Sequence, residues 1–246
     1  MFGKLSLSNS ALHILAMVFM LCDHMWATVI PGNQWLTCVG RLAFPIFAFL
    51  IVEGYFHTSN LRKYVLRLLL CAIISEIPFN LMYSSSVINP FHQNVIWTLL
   101  MGLGWIHLNE RVKKRGNKLL SAVVLAVSVF AGYLLGIISF ADYNGAGVAT
   151  ILVFYILRKR SLWCFLGQVV LLYYINVEVL SGLYFEIAVG DTTLHIVQQG
   201  LALFALIPIW LYNGRKGYHS RWFQYVCYGF YPVHMLALHL LRSLIV

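Results

Sequence analysis

The sequence predicts an all-α fold: a polytopic membrane helix bundle of about nine transmembrane helices, with its N-terminus in the cytoplasm. Three observations predict it. Hydrophobic residues make up 61% of the 246 and charged residues 10%, where a soluble domain carries about 25% charged residues. The apolar residues fall in runs near 11–30, 36–56, 61–83, 94–109, 119–140, 144–158, 161–180, 196–213 and 222–243, most of them close to the ~20 residues that cross a hydrocarbon core. The basic residues gather in alternate gaps between those runs, which is the positive-inside pattern.

Taken in order, Lys4 precedes the first run, and Arg62 and Lys63 follow the second. Arg111, Lys113, Lys114, Arg115 and Lys118 follow the fourth, Arg158, Lys159 and Arg160 the sixth, and Arg215, Lys216 and Arg221 the eighth. The loops 31–35, 84–93 and 181–195 hold no Lys or Arg, and the last carries Glu186 and Asp191. Arg242 alone runs against the bias. The fourth and sixth runs are short and predict tilted, broken or extended helices. The first run is too long for a signal-peptide core and carries Asp23 and His24, so it reads as a span rather than a removable leader.

Residues 1–246 read as a single domain with no internal repeat. An inverted repeat marks many transporters, and nine runs do not halve evenly. The net charge of +9 invites nucleic acid as a partner. The placement of the charges between apolar runs excludes it and points to membrane lipids instead. The five cysteines lie in or beside apolar runs without CxxC spacing and read as small core residues.

The most informative feature is the pair Asp23-His24 inside the first run. An ionisable group at that depth costs roughly 2.5–3.5 kcal/mol and faces protein or water, not lipid. The predicted orientation turns position into depth. It places Asp23, His24, Arg41, Glu76, Asp142 and His234 at one level, in or beside five helices. A second set, His13, Glu53, His57 and Arg67, lies nearer the cytoplasm. His13 and His24 are eleven residues apart, about 1100° of helix, so they share a face some ~16 Å apart. Glu53 and His57 are spaced for an i,i+4 pair. Asp23 either orients His24 or caps another group, and Arg41 is either a structural counter-ion or a substrate ligand. Glu178 reads as an interfacial charge.

A histidine near the midplane beside a carboxylate suits general-base work on an amine or hydroxyl attacking a thioester. No nucleophile elbow, Walker loop, dinucleotide turn or HExxH pattern occurs, and no spacing predicts a metal site. Buried carboxylates and histidines equally suit a proton-coupled small-molecule transporter.

The stretches MVFMLCDH (17–24), GRLAFPIFAFLIVEGYFHT (40–58), SEIPFNL (75–81), ADYNGAGVATILVFYILRKR (141–160), PIWLYNGRKG (208–217) and FYPVH (230–234) carry a resemblance over nearly the whole chain. The chain resembles the TraX family of membrane acetyltransferases, of the type that N-acetylates pilin, which is similar in turn to a wider class of transmembrane acyltransferases. The resemblance implies a multi-pass protein of the bacterial cytoplasmic (inner) membrane. It implies acetyl-CoA as donor and an acceptor (pilin, another peptide, a glycan or a lipid) at the membrane or outer face. It implies His24 as catalytic with Asp23 in support, by direct transfer or through an acetyl-His24 intermediate. Arg41, Glu76, Asp142, His234, His13 and Glu53 would support the site or bind substrate. Arg62, Lys63, Arg215 and Lys216 would hold the phosphates of CoA. Many members of the wider class have Lys or Arg where His13 stands.

Overall fold

The computed structural model describes residues 6–189 and 192–245; Lys4 and Asp191, which enter the charge pattern above, lie outside the described residues. Among the described residues the helices are α1 (Asn9–Thr28), α2 (Gln34–Gly40), α3 (Ala43–His57), α4 (Leu61–Ser84), α5 (Val95–Lys113), α6 (Lys118–Ile138), α7 (Asn144–Ile156), α8 (Leu162–Tyr173), α9 (Leu206–Trp210) and α10 (Arg221–Ile245). Helix α2 leads into α3 with a break at Arg41-Leu42, α8 continues as a π-helix to Leu180, and a 3₁₀ stretch, Gln198–Ala205, leads into α9. The helices thus form nine rods, close to the nine runs read from the sequence.

Two expectations need correction. Among the described residues, five rods are long and apolar enough to cross a bilayer by length and composition: Asn9–Thr28, Gln34–His57, Leu61–Ser84, Lys118–Ile138 and Leu162–Leu180. Helix α7 has 13 residues, about 20 Å, short of a core of about 30 Å. Helices α5 and α10 have the length but carry more polar faces: α5 ends in Asn109-Glu110-Arg111. The fold is also not purely α. The region read as a loop over 181–195 contains an antiparallel hairpin, β1 (Tyr184–Val189) and β2 (Thr192–Val197), with Tyr184 opposite Val197 and Glu186 opposite His195. Thr192–Val197 reads TTLHIV, rich in the branched residues that favour strands.

Local chemistry sets the helix starts. Ser8, Asn60, Asn94, Asn117 and Ser161 each accept a backbone N–H of the first turn through the side chain, filling the orphan donors there. At one end of the bundle Glu53, late in α3, accepts from Arg158 just past α7, and Glu110, late in α5, accepts from Tyr155, late in α7, which brings the basic residues around these helix ends together. That basic end is tied together by Leu7 against Tyr212 and by Arg160 donating to the carbonyls of Ile209 and Tyr212. The opposite, hairpin end is tied by Gln93 against Ala141.

The core runs through Leu12, Ile46, Val52, Phe79, Ile151 and Met235. Ile73, Ile74, Ile77, Phe130, Trp163 and Val170 are exposed on the outside of the bundle, the arrangement expected where lipid replaces water. In lipid, close backbone approach replaces hydrophobic drive. Gly136 of α6 sits so near the backbone of Asn144 and Gly145 that a Cβ would collide.

Candidate functional site

Two adjacent cavities lie within the bundle and share part of their lining. The first, about 370 Å³, is lined by Asp23, His24, Arg41, Tyr83, Asp142 and Tyr143 among others. It reaches the hairpin end at Asn144, Ser181 and Gly182, which are exposed. The second, about 440 Å³, has apolar walls that include Leu50, Ile51, Leu68 and Leu99. It reaches the basic end at Arg67, Lys216 and His219, also exposed. Met20, Phe47, Val95 and Tyr231 line both.

The first cavity is built around a half-buried ion pair. Asp23 accepts from Arg41 Nη2 and from the Thr37 hydroxyl at 2.8 Å. Arg41 stands at the α2–α3 break, where its remaining donors reach the Thr37 carbonyl (3.4 Å) and Gln199 Oε1 (3.1 Å). Gln199 in turn donates to Asn176 Oδ1 (2.9 Å), and Asn176 donates to the Leu172 carbonyl (2.8 Å). Gln199 and Asn176 sit in the 3₁₀ and π segments, so the two departures from α geometry fall where they complete this polar chain. π segments commonly mark functional sites. Gly40 allows the approach, because a Cβ there would run into Asp23.

His24, 8% exposed, takes its ring hydrogen bond elsewhere. Its Nδ1 lies 2.7 Å from His234 Nε2, and His234 Nδ1 lies 2.6 Å from the Phe230 carbonyl. The partner of the His24 ring is therefore His234, while its sequence neighbour Asp23 serves Arg41 and Thr37. The rings of Tyr83 and Tyr231 stand 6.0 and 6.4 Å from that of His24.

Asp142 lies at the turn into α7. Its carboxylate accepts from the Tyr143 amide at 3.0 Å. Tyr143 and Asn144 are both in the left-handed region (φ 62° and 47°), each a departure costing about 1–3 kcal/mol, and Tyr143 is further held by stacking on Phe44 at 3.9 Å. His92 Nε2 lies 3.8 Å from Asp142, an ion-pair distance rather than a hydrogen bond. Asp142, with a smaller contribution from Glu76, raises the pKa of His92 against the opposing pull of partial burial.

Residues 8–242 match the family described as TraX protein. The chain belongs to the TraX family. It is also similar to the probable fimbrial assembly protein FimC, serogroup H1, of Dichelobacter nodosus, with 28% identity over 250 residues that cover 96% of each chain. No solved structure matches it.

In this TraX-family fold the residues assigned to one level divide. Asp23, His24, Arg41 and Asp142 line the first cavity, and His234 reaches it through His24. Glu76 does not join them. Its carboxylate accepts from Asn94 Nδ2 and from Trp97 Nε1 at 3.1 Å, latching α4 to the start of α5. His13 and Glu53 line the second cavity. His13 donates to the Asn9 carbonyl (3.0 Å). Glu53 comes within 3.6 Å of His57, as the i,i+4 spacing allows, but its shorter bond is from Arg158 at 2.7 Å. Of the four basic residues implied for CoA, Lys216 lines the second cavity, whereas Arg62, Lys63 and Arg215 do not.

Charge-based reading missed the neutral members of the site: Thr37, Tyr83, Tyr143, Asn176, Gln199 and Tyr231. Two of them carried a signal, since Tyr143 and Tyr231 lie inside ADYNGAG and FYPVH. Among the described residues no group of three or more His, Cys, Asp or Glu is placed to hold a metal ion.

Proposed function

We propose that this protein is a membrane-embedded acetyltransferase that moves an acetyl group from acetyl-CoA to an amine or hydroxyl acceptor, with His24 as general base. One observation carries the reading: a buried imidazole lines a cavity that opens at one end of the bundle and abuts a second cavity that opens at the other. Transfer between two substrates needs two routes to one base. Family membership supports acyl chemistry, and the fimbrial-assembly relative supports an acceptor used in pilus production.

The donor enters from the basic end, taken as the cytoplasmic face of the inner membrane. Its phosphates meet Lys216 and Arg67 as point charges at the mouth, and its pantetheine arm runs along the apolar walls toward Tyr231. The acceptor enters from the hairpin end. His24 takes the proton of the attacking group, the carbon–sulfur bond breaks, and the proton passes to the departing thiolate, so that the products are an acetylated acceptor and free CoA.

The test uses purified protein in nanodiscs, radiolabelled acetyl-CoA, and native membrane extract as the source of acceptor. The wild type should transfer label. His24→Ala should bind acetyl-CoA unchanged and lose turnover by about 10²–10⁴-fold. Normal turnover in that variant would remove His24 from the role.

A further inference from the structure

We propose that His234 is a positioning residue: it fixes the tautomer of His24 so that Nε2 keeps its lone pair for the acceptor. A backbone carbonyl only accepts, so His234 Nδ1, 2.6 Å from the Phe230 carbonyl, carries a hydrogen. A neutral imidazole has one N–H, which leaves His234 Nε2 as an acceptor. That atom lies 2.7 Å from His24 Nδ1, so His24 Nδ1 carries the hydrogen between them. The remaining nitrogen of a neutral His24, Nε2, is bare, on a ring that lines the cavity. The two rings are within 9° of parallel with centres 4.9 Å apart. Together with a 2.7 Å nitrogen–nitrogen contact, this is an edge-to-edge hydrogen bond in the ring plane rather than face stacking.

Two polar neighbours of His24 are engaged elsewhere. Asp23 is committed to Arg41 and Thr37, and the Thr28 hydroxyl donates to the His24 carbonyl, not to its ring. Phe230 also stacks on His234 at 4.6 Å, which holds the ring that holds His24. When His24 Nε2 takes a proton from the acceptor, the bond to His234 becomes charge-assisted and strengthens. A carboxylate plays the comparable part in hydrolase triads; here the orienting group is neutral, which spares a buried charge its desolvation cost.

The catalytic consequence rests on the acetyltransferase reading; the tautomer does not. The experiment therefore has two arms. Nitrogen-15 NMR of histidine-labelled protein in nanodiscs, with the His24 signals assigned by their loss in His24→Ala, should show Nδ1 protonated and Nε2 bare in the wild type. His234→Gln, whose amide oxygen can accept from Nδ1, should keep that pattern, and His234→Leu should lose it. In turnover, His234→Leu should lower kcat on the order of 10²-fold with the KM for acetyl-CoA unchanged, and His234→Gln should recover to within about tenfold. A protonated Nε2 in wild-type His24 overturns the proposal, as do equal spectra and equal kcat for the Leu and Gln variants. If the spectra behave as described while His24→Ala turns over normally, the acetyltransferase role of His24 fails and the pairing stands.

Discussion

The two cavities are of similar size and opposite construction. At the hairpin end the polar groups are fixed: Asp23 by Arg41 and Thr37, Arg41 by Gln199, Tyr143 by Asp142 and Phe44. At the basic end the walls are largely apolar, with His13 and Glu53 set among them, and the mouth carries Arg67, Lys216 and His219 exposed. A network of satisfied hydrogen bonds holds atoms to small tolerances. An apolar tube with charges at its rim suits a long flexible ligand whose ends differ in polarity. On the proposed function, the contrast would separate the place where bonds change from the place where a carrier is held.

The largest effect should come from breaking the fixed side of that comparison. Arg41→Met leaves half-buried Asp23 with the Thr37 hydroxyl but without its cation and should cost on the order of 1–3 kcal/mol, read as a fall in unfolding midpoint. Adding Asp23→Asn should recover part of the loss, since the stranded charge is gone. If Arg41→Met alone left the midpoint unchanged, the pair would not organise the cavity.

A smaller effect is expected at the basic mouth. Lys216→Glu should raise the KM for acetyl-CoA about tenfold, as one charge-assisted contact is worth, with kcat little changed because the contact is far from the reacting atoms. Arg62→Glu, outside the cavity, serves as the control and should do less. Equal effects at both positions would mean that surface potential, not the mouth, draws the donor.

The smallest effect is a pH dependence at the hairpin end. Asp142 raises the pKa of His92, so the imidazolium is favoured in the folded state. That contribution is fully present below the ordinary histidine value of about 6.5 and is lost as pH rises through the raised folded value. His92→Gln should therefore be destabilising relative to the wild type at pH 5.5, and the gap should close by pH 8.5. A gap independent of pH would make the His92 contact one of packing alone.

Much of the fold was legible because hydropathy and charge alternation report rods and ends directly. The rod positions agree with the apolar runs. What hydropathy averages away was lost: the break at Arg41-Leu42, the π stretch over Tyr174–Leu180, the 3₁₀ stretch, and the hairpin. The site shows the same division. Depth along the chain groups Asp23, His24, Arg41, Asp142 and His234, which line or adjoin the first cavity. Depth gives height but not direction around a helix, so Glu76 was grouped with them although it faces Asn94 and Trp97. Sequence adjacency also misled, since Asp23 and His24 have different partners. Two neighbouring basic residues can differ in placement for the same reason: Lys216 lines the cavity and Arg215 beside it does not.

The central claim is that donor and acceptor reach His24 from opposite ends. Sealed proteoliposomes with the protein oriented, and orientation scored by labelling Lys216 and the hairpin, test it directly. Acetyl-CoA supplied only to the face bearing Lys216 should acetylate acceptor supplied only to the face bearing the hairpin. Transfer that requires both substrates on one face, or solute flux without any acetyl transfer, would contradict it.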